Sequence, residues 1–320
     1  MNEKINVRRI LKIIQNQKAL VALLAIFIMM PFLTPYFFTR YNMVELLLQC
    51  AILLIMAGGV TFVVISGECD LSIGGLMCLS GIVAIKLQEF MPLFPAFVLA
   101  IVVGLLIGAV NAFLVVSQNA DGFITTLGMG MLLKGVSLVL TNAHPIQGTN
   151  VIFHKIGTIS VLGIPLIVII TIILLVIAQS VMKRTAFGRD CYAVGGNFEV
   201  AVYAGIRAKR HKVITYLLSG AVTALAGFLL SARLNSGAAT YGDNTALLIN
   251  CGIVVGGTSF GGGIGGIPQT ILGMFLFATL ENAMNLMNVN SYVQQLIRGI
   301  IIVGVVCLDC YTKKKKRENV

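Results

Sequence analysis

Residues 166–182 read LIVIITIILLVIAQSVM. The stretch carries no charge, is mostly Ile, Leu and Val, and approaches the roughly 20 helical residues needed to cross a hydrocarbon core. Runs of the same kind occupy Ala19 to Phe38 and Ile271 to Leu286. The other spanning solution, a closed β-barrel, uses alternating strands of about 10 residues and leaves no long unbroken apolar stretches. The pattern therefore predicts an all-α polytopic membrane protein. Working outward, apolar segments fall near 19–38, 44–66, 71–90, 94–117, 122–141, 164–182, 213–233, 246–258, 268–288 and 293–310, which makes about ten transmembrane helices. The 246–258 piece is short enough to be a half-helix beside Gly-rich backbone.

Of the 320 residues, 58% are hydrophobic and 11% charged, with mean hydropathy +0.95. Soluble domains carry roughly 45–50% apolar and 25% charged residues. Lys4, Arg8, Arg9, Lys12 and Lys18 precede the first segment, whose Pro31 to Pro35 end offers no small-residue cleavage site, so it reads as a retained helix. Seven more basic residues lie between Lys183 and Lys212 and five follow Tyr311, so these three groups hold 17 of the 23. Lys and Arg beside membrane helices collect on the cytoplasmic side. Six crossings separate the first group from the second and four the second from the third. One transmembrane domain over 1–320 is thus expected, with residues 1–18, the loop near 183–212 and the tail 311–320 all cytoplasmic.

The net charge of +11 then has a topological origin. Lys313 to Arg317 follows a membrane helix and is expected to meet anionic lipid, not nucleic acid. The seven cysteines are odd in number and sit mostly in apolar runs, which argues against a disulfide framework. No G-x-x-x-x-G-K-[ST] phosphate loop, H-E-x-x-H or G-x-S-x-G occurs, so neither ATP hydrolysis nor an intramembrane hydrolase has visible machinery.

The loop at 185–206 reads TAFGRDCYAVGGNFEVAVYAGI. Asn197 suits an N-cap, Glu199 the first turn, and Gly205 a left-handed C-terminal position. Phe198, Val202 and Ile206 would share one side of a short helix, fit either to dock into a partner's groove or to lie on lipid. SGECDLSIGG at 66–75 and GGTSFGGGIGG at 256–266 interrupt apolar runs, with Asp70 or Ser72 able to cap the next helix. Such breaks mark a translocation path or gate, though small residues also serve close helix packing. Ionisable residues within the runs are few, namely Glu45, Lys86, Glu89, Lys134, Arg233, Glu281, Arg298 and Asp309, most of them near segment ends, which disfavours an ion-coupled transporter. Neutral polar groups at Asn111, Thr125, Thr126, Asn282 and Asn285 suit a hydroxyl-rich solute, or interhelical hydrogen bonds.

At these same residues the chain resembles the permease subunits of bacterial carbohydrate ABC importers, closest to the ribose type. Ile55 to Thr61, the DLSIG of Asp70 to Gly74, the FITTL of Phe123 to Leu127, the loop Phe187 to Ile206, and Gly256-Gly257-Thr258-Ser259 with the following glycines resemble motifs of that family in the same order. Glu68, Ala246, Leu248, Gly261 and Ile264 depart from its usual pattern. The resemblance implies a ten-helix subunit of the vitamin-B12-importer (type II) architecture in the bacterial inner membrane. It implies three partners: a second permease subunit, a cytoplasmic ATP-binding subunit that holds ATP and Mg, and an extracytoplasmic sugar-binding protein. This chain is then no enzyme and holds no cofactor or metal. It assigns coupling to the ATPase to Gly188 and Arg189, to Gly195, Gly196, Asn197, Phe198 and Glu199, and to Ala201, Gly205 and Ile206. Asp70, Ser72, Asn111, Thr125, Thr126, Gly256, Gly257, Thr258, Ser259, Asn282 and Asn285 are the expected path or gate. The competing reading is an ion-coupled secondary sugar transporter, and a passive channel is a third.

Overall fold

The computed structural model describes residues 18–318; expectations for residues 1–17 and 319–320 lie outside the described residues. Each of the ten apolar segments contains a helix: α1 Lys18–Leu33, α2 Arg40–Ile65, α3 Ile73–Leu87, α4 Leu93–Ala112, α5 Gly122–Thr141, α7 Leu166–Arg184, α10 Ala208–Leu234, α11 Thr245–Val255, α12 Ile267–Leu286 and α13 Ser291–Glu318. Between them lie three shorter helices, α6 Val151–Thr158, α8 Ala186–Gly196 and α9 Phe198–Tyr203. Five helices, α2, α4, α5, α7 and α10, are long and apolar enough to cross a membrane. The α4 helix runs on into one π turn, Phe113–Ser117.

The bundle is built around α2 and α10. The α10 helix packs on α2, α3 and α4, while α2 also packs on α7 and α12. In lipid no hydrophobic force drives helix pairing, so close backbone approach has to supply the contact energy. At the α4–α10 crossing Gly104 and Gly108 lie on the backbone of Gly220 and Tyr216, where a Cβ would find no room. The outer helices instead turn apolar side chains outward, as Leu106, Met131, Val176 and Leu296 show.

Chain direction places the 183–212 segment at one end of the bundle. At the far end, β1 (Ile146–Gln147) pairs antiparallel with β4 (Ser236–Gly237), and β2 (Ser160–Val161) with β3 (Ile164–Pro165). The α6 helix lies over the last turns of α10, with Phe153 edge-on to Phe228 at 5.2 Å. After β4 the chain turns back into the bundle without helix. The Gly242 N–H donates to the Cys78 thiol of α3 at 3.0 Å. Only then does α11 begin, and its 11 residues span about 16 Å, half the hydrocarbon thickness. The apolar piece at 246–258, short enough to be a half-helix, thus holds a helix of 11 residues, reached by irregular backbone packed against α3.

Candidate functional site

The re-entrant segment and the far-end halves of α2, α10, α12 and α13 enclose a cavity of about 280 Å³. Its size sits just below the 300–1,000 Å³ usual for small-molecule clefts. Gln49, Arg233, Tyr241, Asp243, Glu281 and Arg298 are among its walls. The charges are paired: Arg233 with Glu45 at 2.5 Å, Arg298 with Glu281 at 2.7 Å, and Asp243 with Lys134 at 2.6 Å. The Gln49 amide donates to the other Glu281 oxygen at 3.1 Å, and the buried Arg298 Nε has no partner among the described residues. Of the ionisable residues noted within the apolar runs, Arg233, Glu281 and Arg298 therefore meet in one cavity, with Glu45 paired to Arg233. Gln49, Tyr241 and Thr245 carried no such signal. The usable clue was two acids and two arginines placed where their segments reach the same end.

None of the expected path residues lines this cavity. Asp70, Ser72, Asn111 and Thr126 form instead a buried polar knot at the start of α3. The Asp70 carboxylate accepts from the Ser72 hydroxyl (2.6 Å), the Ser72 amide (3.0 Å) and the Ser219 hydroxyl of α10 (2.8 Å). Ser72 Oγ accepts from Asn111 of α4 at 2.8 Å, and Thr126 of α5 accepts from the Leu71 amide at 2.9 Å. Asn250 of α11 donates to the Asp70 carbonyl at 3.1 Å. Ser72 is the N-cap of α3 but makes no side-chain cap bond, because its hydroxyl is spent on Asp70; the cap expected of Asp70 or Ser72 is replaced by this turn. Thr125 lies half-buried beside the knot. Asn282 is locked in a reciprocal amide pair with Asn42, at 2.8 and 3.0 Å, and Asn285 accepts from Gln294 at 2.9 Å.

At the opposite end, α8 rests directly on the membrane helices. Gly195 lies on the Ile65 carbonyl at the end of α2, so closely that a Cβ would overlap it. That carbonyl accepts from the Gly263 amide at 2.9 Å, and Tyr192 donates to the Gly265 carbonyl at 2.8 Å. The glycine loop 256–266 thus joins α11 and α12 to α8. Within it Gly256 packs on the Gln269 backbone, Gly257 is exposed, Thr258 is buried with Oγ1 near the Gly266 amide (3.4 Å), and the Ser259 amide donates to the Ile264 carbonyl at 3.0 Å. Burial pushes the Cys191 thiol of α8 up to about 11, with the neighbouring Asp190 adding to the rise. At neutral pH it is a protonated packing group.

The local signals in α9 hold. Asn197 caps it by accepting from the Val200 amide at 3.0 Å, and Gly205 has φ +84°. The Gly205 amide donates to Val202 and the Ile206 amide to Ala201, both at 3.0 Å, closing a Schellman turn. The expected single apolar side does not. Phe198, Ala201 and Ile206 pack inward with Val194 and Ala208, whereas Val200, Val202 and Tyr203 are exposed. Lys212 lies 5.0 Å over the Phe198 ring and pairs with Glu68 at 2.6 Å, tying α9 to the loop that carries Asp70. Gly188 is buried on the Met182 backbone, while Arg189, Gly196 and Glu199 face outward.

Residues 42–306 match the family described as the branched-chain amino acid transport system permease component. The chain belongs to this family. Among its permeases, the ribose import permease protein RbsC of Haemophilus influenzae is 33% identical over 94% of this chain and 95% of its own. RbsC of Bacillus subtilis is 36% identical over 93% of each chain. The D-allose transport system permease protein AlsC of Escherichia coli is 33% identical over 86% of this chain and 85% of its own. No solved structure matches the chain.

Proposed function

We propose that the chain is the membrane-spanning permease subunit of an ATP-driven importer for a small neutral sugar, ribose first among the candidates. The likeness to sugar permeases at 33–36% identity over at least 85% of both chains carries this reading. The cavity supports a sugar over the amino acid of the family's description. Its charges are already matched in pairs, so a zwitterion would have to break them, while hydroxyl groups can join them. The carboxylates of Glu45 and Glu281 are held by arginines and are poorly placed to relay protons, which disfavours ion coupling.

In this reading the chain forms one permease domain with ten spans of the type II arrangement, in the bacterial inner membrane. Both termini and the 183–212 segment face the cytoplasm. A second permease subunit completes the path, with lipid around the pair. A sugar-binding protein delivers solute at the far end, and ATP and Mg are bound by a separate ATPase, not by this chain. That ATPase docks on the outward residues of α8 and α9. Because α8 bears on Ile65 and on the 256–266 loop, a push there reaches α2 and α12, which wall the cavity. Asp70, Ser72, Asn111 and Thr126 act as the fixed joint of this lever. The test is uptake of labelled ribose in cells lacking their own ribose import, supplied with this chain, its ATPase and its binding protein. Uptake that survives loss of the ATPase, or that collapses with the ion gradient while ATP is held constant, overturns the reading.

A further inference from the structure

We propose that the far-end cavity is a monosaccharide-binding site of the permease itself, holding the sugar between its delivery and its release. The proposal rests on the sugar-import reading and names the residues that recognise the solute.

A monosaccharide presents hydroxyls on neighbouring carbons, each both donor and acceptor, and a face of C–H groups. Its natural partners are planar groups that bond in pairs, plus one flat apolar surface. The cavity holds both. Arg233, Arg298, Glu281 and Gln49 supply two guanidinium forks, a carboxylate and an amide, and the Tyr241 ring stands in the same wall. The ring is held there because its hydroxyl donates to Ser236 at 3.0 Å. Each ion pair uses only part of its members' capacity. Arg298 bonds Glu281 through Nη2 and Arg233 bonds Glu45 through Nη2, so each ion pair engages one guanidinium nitrogen of its arginine.

Donors also come from below. Thr245, in the cavity wall, opens α11, whose N-cap Asn244 makes no side-chain cap bond. The Thr245 amide is spent on the Gly242 carbonyl at 3.1 Å and the Leu248 amide on the Asn244 carbonyl at 3.0 Å, so the start of α11 offers the cavity the side chains of Asn244 and Thr245. The charges cancel pairwise, so the site favours an uncharged polyol over an ion. Binding must be weak, since a path that holds its solute tightly does not release it.

The chain contains no tryptophan, so Tyr241→Trp places its sole tryptophan, which can be excited selectively over tyrosine, in the wall. Purified Tyr241→Trp in lipid nanodiscs would be titrated with D-ribose, L-arabinose, D-allose and, as a zwitterion control, L-leucine. The expected result is a saturable emission change for at least one sugar, half-maximal in the millimolar range, and none for leucine. Adding Arg298→Gln should weaken it by about tenfold, the loss of one modest hydrogen-bond contribution. Phe90→Trp, exposed and outside the cavity, should not respond. Saturation-transfer NMR of D-ribose with the unaltered chain covers the case in which Tyr241→Trp does not fold. A response equal in the Phe90→Trp variant, or no response by either method from a chain whose complete transporter imports sugar, overturns the site and leaves the import reading standing. A complete wild-type transporter that imports no monosaccharide overturns the import reading, and the site with it.

Discussion

Asp70 accepts three hydrogen bonds inside the bundle, from the Ser72 hydroxyl and amide and the Ser219 hydroxyl. The DLSIG motif that contains it was plain in the sequence, but its role was not. A carboxylate followed two residues later by serine reads equally as a cap or as a solute ligand, and it is the bond from Ser219, 149 positions away, that supports the joint proposed for it. Removing the acceptor leaves buried donors unmade, each costing about 1–3 kcal/mol. Asp70→Ala is therefore expected to destabilise the protein by on the order of 3 kcal/mol or more, seen as a lower midpoint in thermal unfolding of the solubilised protein. Asp70→Asn keeps one acceptor oxygen for Ser72, and its new amide can donate to Ser219 Oγ, so its loss should be clearly smaller. Equal stability of Asp70→Ala and the wild type would remove the joint from the mechanism.

At the scale of elements, α9 divides what sequence can reveal from what it cannot. Asn197 and Gly205 were readable because capping is a local matter of one oxygen and one positive φ. The facing of the helix was not. Phe198, Val202 and Ile206 are spaced as one stripe, but the Schellman turn at Gly205 folds Ile206 back on Ala201, and packing on α8 and α10 claims Phe198. The surface proposed for ATPase docking is consequently the exposed Val200, Val202 and Tyr203, not the stripe. Val200→Asp with Tyr203→Ala should leave membrane levels normal and abolish co-purification of the ATPase. Gly205→Val should give partial uncoupling by strain alone, about 1–2 kcal/mol, because no atom lies near the site where its Cβ would sit. Gly205→Asn, which tolerates this φ, should retain coupling. Retained ATPase binding in the Val200 and Tyr203 double variant would return the docking role to other residues.

Across the whole molecule, the ten helical segments were legible because long apolar runs have few alternative explanations. The cavity was not. Gln49 and Glu281 meet across 232 positions, and the stretch before α11 enters the bundle only because Gly242 fits against Gly74 and Cys78. Orientation is the remaining whole-molecule property, and the one proposed rests on charge. The 183–212 segment holds seven basic residues, while residues 142–165 at the far end hold Lys155 alone. Anionic lipid and the insertion machinery keep such clusters on the cytoplasmic side. A membrane-impermeant thiol reagent tests this at two exposed positions, Leu162→Cys at the far end and Tyr203→Cys in α9, which are 99% and 89% exposed. The native cysteines outside α13 are buried, and replacing Cys307 and Cys310 removes the others. In intact spheroplasts Leu162→Cys should label at once, and Tyr203→Cys only after the membrane is permeabilised. The reverse pattern would invert the molecule, placing the cavity on the cytoplasmic side and the ATPase surface outside, where no ATP could drive it.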